Sequence, residues 1–208
     1  MEYFKEYKAG LGILTGTEAL RKILLSKELS IWTGSAIYKR DTIIGNGLDF
    51  TERCESGEDQ EFIYKALSKS NVVYFIDKVL SYYFLREGYI TNSISIKNFD
   101  AINALVRASD YLKAQGISTE IIQHIRVNRT IETYISGKTS CIQRSHHMNR
   151  YLKELDAAID ANCPGLTSRI EALANEIPLG NLRLLLRIKI LQLSPQLYFI
   201  ASRIINRS

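Results

Sequence analysis

From Ile96 to the C-terminus apolar residues recur at spacings of three and four, the repeat of helices that each bury one face. Before Ile96 helix and strand signals alternate, so the chain divides near residue 96 into an α/β part and a helical part. Phe99, Ile102, Leu105, Val106 and Leu112 form one stripe, and Gly116 follows it as a C-cap. Ser118 opens a second helix through Ile121, Ile122, Ile125 and Ile131 that closes near Gly137. A third is expected over 140–161, stopped by Pro164-Gly165, and a fourth over 166–176. At 208 residues, 46% hydrophobic and 24% charged, the chain can bury a core, which excludes a disordered or low-complexity protein.

The first 95 residues carry shorter signals. Thr15 and Glu18 stand three apart ahead of Ala19, Leu20, Ile23 and Leu24, a capping box that opens a helix over 17–26. Ile31 to Tyr38 is rich in β-forming residues but interrupted at Gly34-Ser35, as a strand or a loop in close backbone contact would be. Gly45-Asn46-Gly47 marks a turn, and Ser56-Gly57 before Glu58-Asp59 opens a helix to about Ser68. Val72–Ile76 and Leu80–Leu85 read as two short strands joined at Asp77-Lys78.

Charge is unevenly placed. No acidic residue follows Glu176, whereas Arg183, Arg187, Lys189, Arg203 and Arg207 do, and these five equal the net charge of +5. In Leu182–Leu193, Arg183 and Arg187 share one helical face and Leu184, Leu185, Ile188 and Leu191 the other, with Pro195 breaking the run. Such a helix suits an anionic membrane surface with its apolar face down, or the protein's own core with its bases in solvent. Cys54, Cys141 and Cys163 have no C-x-x-C spacing and read as free thiols of a reducing compartment. The N-terminus holds no signal-peptide run and no window of about 18 apolar residues occurs, so a cytoplasmic chain is expected.

Candidate chemistry lies before residue 96. Glu58 and Asp59 occupy the first turn of a helix, facing its positive end, where a carboxylate can take a proton from an attacking hydroxyl or simply stabilise the terminus. Arg86 follows the aromatic run Tyr82-Tyr83-Phe84 and has the fork geometry to clamp a phosphate. Trp32, the only tryptophan, with Gly34 and Ser35, can line a pocket that stacks a sugar ring or belong to the core. His146-His147 lacks companions at metal-ligand spacing. There is no phosphate-binding glycine loop and no basic-aromatic interleaving, so no nucleic-acid partner is expected.

The order of these segments carries more than any one of them. Trp32–Arg40, Gly47–Phe50, Gly57–Phe62, Val72–Ile76 and Tyr82–Thr91 together resemble the acceptor-side half of a bacterial family 2 glycosyltransferase of the GT-A fold, over about residues 11–95. The resemblance implies a partial GT-A domain over 1–95, a Rossmann-like mixed sheet with helices. A helical region over 96–180 and a basic amphipathic tail over 181–208 follow.

Several functional expectations come with it. The reaction is an inverting transfer of a sugar from a nucleotide-sugar donor to a glycan or lipid-linked acceptor of cell-surface polysaccharide. Asp59 matches the catalytic base, Glu58 shapes the same site, and Arg86 matches an arginine near the donor diphosphate. Trp32, Gly34 and Ser35 border the acceptor pocket, and Tyr89 stands where the family has serine. The family uses Mg2+ or Mn2+ held by a D-x-D motif, which is absent from these 208 residues together with the nucleotide-binding half. The expected chain is thus a C-terminal portion, working peripherally at the inner face of the plasma membrane through 181–208. The alternative is a non-catalytic accessory or relic chain that docks on a donor-binding half or on the membrane.

Overall fold

The computed structural model describes residues 12–76, 78, 80, 82, 96–143 and 148–198. Described residues are mostly helical, with one small antiparallel ladder. The chain begins with β1 (Ile13–Leu14) and α1 (Gly16–Leu24). Thr15 caps α1, its hydroxyl accepting from the Glu18 amide while the Glu18 carboxylate accepts from the Thr15 amide at 2.7 Å, so the capping box forms as its sequence implies. Next come α2 (Arg40–Ile44), α3 (Glu58–Ser68) and β2 (Val73–Tyr74).

The ladder departs from the Rossmann-like mixed sheet expected for 1–95. Ile13 pairs with Tyr74 and Leu14 with Val73, antiparallel. Between Ile31 and Tyr38 the extended backbone is broken by a 3-10 turn at Thr33–Ser35, because the Ser35 side chain accepts from the Trp32 amide and donates to the Trp32 carbonyl. A side chain that binds its own backbone removes those groups from any ladder. The expected strand over Leu80–Leu85 lies largely outside the described residues.

Residues 72–76 alternate across the ladder. Val73 and Phe75 pack on the core below, while Val72, Tyr74 and Ile76 are exposed beside the exposed Ile13. A strand apolar on both faces is built to be covered on both. Here one face has its cover.

The helical part comprises α4 (Asp100–Ala114), α5 (Thr119–Gln123), α6 (Thr130–Gln143), α7 (Met148–Asn162), α8 (Leu166–Ala174) and α9 (Leu182–Leu193). A π-helical segment, His124–Arg129, joins α5 to α6 without a break. Gly137 does not close the helix as expected. It lies inside α6, where a Cβ would come within 3.1 Å of the Phe99 ring, so the glycine allows close packing. Gly116 and Gly165 do stand at helix boundaries, with φ of +70° and +72°.

Two apolar clusters meet on α4. Ile102 joins Phe99, Ile131, Ile135, Ile159 and Ile188 in the C-terminal core. Leu105, Ala108 and Leu112 join Leu20, Leu24 and Ile63 from α1 and α3. The α1–α3 layer is therefore seated on the helical part.

The apolar face of α9, read from sequence as meeting either a membrane or the protein's own core, packs on the core. Leu184, Ile188 and Leu191 are buried in the C-terminal core and Leu185 packs against it. Their partners are apolar side chains of α6 and α8, which remove the same area from water that lipid would. Among the described residues no helix is long and apolar enough to cross a membrane. Arg203 and Arg207 lie outside the described residues.

Candidate functional site

The N-terminus of α3 is set by Gly57. Its φ of +85° belongs to the left-handed region, and a Cβ would sit 2.7 Å from the Ala101 Cα. A glycine is needed there on both counts, and it lets α3 start directly against α4. From that start, successive residues leave the helix about 100° apart.

Glu61 points inward and is 2% exposed. One carboxylate oxygen accepts from the Thr51 hydroxyl at 2.8 Å and Lys65 Nζ at 2.6 Å. The other accepts from Arg107 Nε at 2.9 Å and lies 2.8 Å from Nη2 as an ion-pair contact. Burial alone would raise the Glu61 carboxyl, but the Arg107, Lys65 and Thr51 hydrogen bonds outweigh it and hold it below the ordinary carboxylate value. Its two cations and its hydroxyl fully occupy it, which makes Glu61 the tie between α3 and α4. The sequence pattern gave it no role, because Arg107 lies 46 residues away.

Asp59 and Glu58 stay half-buried in the same first turn. Asp59 is near enough to Tyr38 to act on its phenol, which burial pushes up and the Asp59 carboxylate raises further. The Tyr38 hydroxyl is buried with no hydrogen-bond partner, and so is the Thr33 hydroxyl in the preceding turn. Buried polar atoms left unpaired are uncommon, and water, strain or a functional role accounts for them; His124 Nε2 and Arg169 Nε share this state elsewhere in the fold. Tyr38 meets Phe62 edge-on at 5.4 Å, and Phe50, half exposed, stacks on Phe62 at 4.3 Å with 9° between planes.

These side chains form an aromatic step beside a carboxylate at a helix N-terminus. Sugar C–H faces settle on aromatic rings, while hydroxyls donate to carboxylates and phenols. Tyr38, Phe50 and Phe62 were not among the expected site residues, although each lies inside a segment that carries the resemblance. Trp32, Gly34 and Ser35 form one turn rather than three separate contacts. The Trp32 ring folds back over Gly34, where a Cβ would meet it at 2.5 Å, and Ser35 ties off the Trp32 backbone. Arg86 and Tyr89 lie outside the described residues, as does His146-His147.

A separate cleft of about 310 Å3 opens between α1, the loop after it and α3. Ile23, Leu29 and Ile63 line it with Lys27, Gln60 and Arg129. Arg129 is held by Glu132 at 3.3 Å, and neither Asp59 nor Glu58 reaches the cleft.

Among the described residues no three His, Cys, Asp or Glu side chains gather as a metal site. No described residue is assigned to the Mg2+ or Mn2+ that the resemblance implies. Cys54, Cys141 and Cys163 are free thiols. Burial raises the Cys54 thiol, and Asp100 adds to that against the pull of Arg107. Comparisons with protein-family models, with curated proteins and with solved structures find no match.

Proposed function

We propose that this chain is the acceptor-side portion of an inverting glycosyltransferase that extends a cell-surface polysaccharide from a nucleotide-sugar donor. One observation carries the reading. The unpaired, buried Tyr38 hydroxyl lies in the field of Asp59, beside the stacked Phe50 and Phe62 rings. In this reading a glycan or lipid-linked acceptor stacks on Phe50 and offers a hydroxyl between Tyr38 and Asp59. Tyr38 orients the acceptor oxygen. Asp59 takes its proton as that oxygen attacks the donor sugar and the nucleoside diphosphate leaves. Trp32 walls the acceptor side, and Arg86 would meet the diphosphate.

The uncovered ladder face supports completion by a second unit. Ile13, Val72, Tyr74 and Ile76 present an apolar surface of the kind a donor-binding half would cover. A lipid-linked acceptor places the chain peripherally at the inner face of the plasma membrane.

The test is release of nucleoside diphosphate from nucleotide-sugars, with magnesium or manganese and glycan acceptors, for the chain and its Asp59→Asn variant. Asp59→Asn is expected to lower transfer by about 100-fold or more at unchanged stability. Transfer that is indifferent to Asp59→Asn rules out the catalytic assignment.

A further inference from the structure

The helix α9 is apolar on two opposite sides, and only one is used by the fold. Leu184, Ile188 and Leu191 are buried in the core. On the opposite side Leu182 is 59% exposed, Leu186 61% and Leu193 85%. These three fall within an arc of roughly 40° at 3.6 residues per turn. Leu179 before the helix and Leu197 after it are also exposed. Lys189 borders the arc and Arg183 flanks it on the other side, both exposed and without an ionic partner among the described residues. No acidic residue occurs after Glu176.

From this surface we infer that the solvent-side leucines of α9 dock the protein onto an anionic lipid bilayer, with Arg183 and Lys189 among the headgroups. The charge pattern selects that occupant. A second copy of the chain, related by a two-fold axis, would bring the bases of both copies around one leucine patch with no acid of α9 to pair them. A lipid surface supplies anions at the rim and hydrocarbon at the centre, which matches leucine between bases. Leu184 and Ile188, the face that periodicity left open to membrane or core, take no part in this docking because the core holds them. The inference deepens the inner-face placement given above but does not need transferase activity, because Asp59, Tyr38 and Phe50 lie outside α9.

The experiment is co-sedimentation of the full chain with phosphatidylcholine vesicles, with and without phosphatidylglycerol. Three proteins are compared: the native chain, Leu182→Ser/Leu186→Ser/Leu193→Ser, and Arg183→Gln/Lys189→Gln. The native chain is expected to bind the anionic vesicles and to leave them as salt rises. Each variant should bind roughly 10-fold more weakly or worse. Their circular dichroism and thermal midpoints should match the native protein, since the replaced side chains face solvent.

Absence of binding by the native chain overturns the inference. Equal binding to pure phosphatidylcholine, or variants that bind like the native chain, also overturn it. So does a dimer in sedimentation velocity that the leucine variant dissolves, since a second copy would then be the occupant. Failure here with intact Asp59-dependent transfer, or the reverse, separates this inference from the transferase reading.

Discussion

The Arg107 guanidinium meets a single Glu61 carboxylate oxygen twice, Nε donating a hydrogen bond at 2.9 Å and Nη2 in ion-pair contact at 2.8 Å, across the contact of α3 with α4. The Glu61 end is sealed from water and the Arg107 end is partly open. Losing the carboxylate would strand two cations, whereas losing the guanidinium leaves Glu61 with Lys65 and Thr51. Glu61→Ala is therefore expected to cost roughly 3 kcal/mol, and Arg107→Ala less. Urea denaturation of the two variants measures the order.

Glu61 also sets an acid limit. Its carboxyl is depressed in the folded chain, so the stability it contributes is complete above the ordinary glutamate value of 4.5 and is lost as pH falls through the lower folded value. The unfolding free energy should decline below about pH 4.5, and Glu61→Gln should flatten that decline. A titration of stability between neutral and strongly acid pH reads it directly.

Lys138 sets the opposite limit. Burial would lower its ammonium, but the Tyr134 phenol oxygen and the Asp156 carboxylate at 2.6 Å outweigh burial and raise it. A raised folded value means that this contribution is complete below the ordinary lysine value of 10.5 and fades as pH rises through the folded one. Asp156→Asn should weaken the protein at neutral pH and move its alkaline decline to lower pH. Thermal midpoints from neutral to strongly alkaline pH test this.

Gly57→Ala should be among the most damaging single changes in the α3 region. The new methyl needs a left-handed backbone and lies 2.7 Å from the Ala101 Cα and 3.0 Å from the Ala104 Cβ. The expected loss is roughly 2 kcal/mol or more, with α3 displaced from α4. Calorimetry measures the loss.

The uncovered ladder face predicts self-association. Ile13→Thr/Val72→Thr/Tyr74→Thr should lower light scattering at high concentration and leave the thermal midpoint nearly unchanged, since all three side chains are exposed. Scattering that stays the same would mean the face is not sticky.

Local signals carried much of this fold and long-range ones did not. The bounds of α3 and the cap of α1 were legible because Gly57, Thr15 and Glu18 act within a few residues of where they stand. β1 was not, since a strand of two residues has no alternation to read and its partner lies about 60 positions on. Gly137 looked like a stop because glycine ends helices. Its use here depends on Phe99, which no local pattern reveals. On α9 the apolar face through Leu184, Ile188 and Leu191 was legible, but whether lipid or the protein's own core covers it was not, because that depends on where α6 and α8 lie. At the candidate site the Glu58-Asp59 pair drew attention by adjacency, whereas the Tyr38 neighbourhood and the Glu61 tie exist only once α3, α4 and the loop from Trp32 to Phe50 meet.

The most direct measurement is calorimetric titration of the folded chain with a panel of oligosaccharides, compared with its Phe50→Ala and Asp59→Asn variants. An acceptor site built from an aromatic step and a carboxylate predicts saturable binding of at least one saccharide without any nucleotide. Phe50→Ala should weaken it roughly 10-fold, Asp59→Asn should weaken it too, and both variants should keep native stability. Binding that ignores both substitutions, or no binding across the panel by a folded chain, would contradict the account.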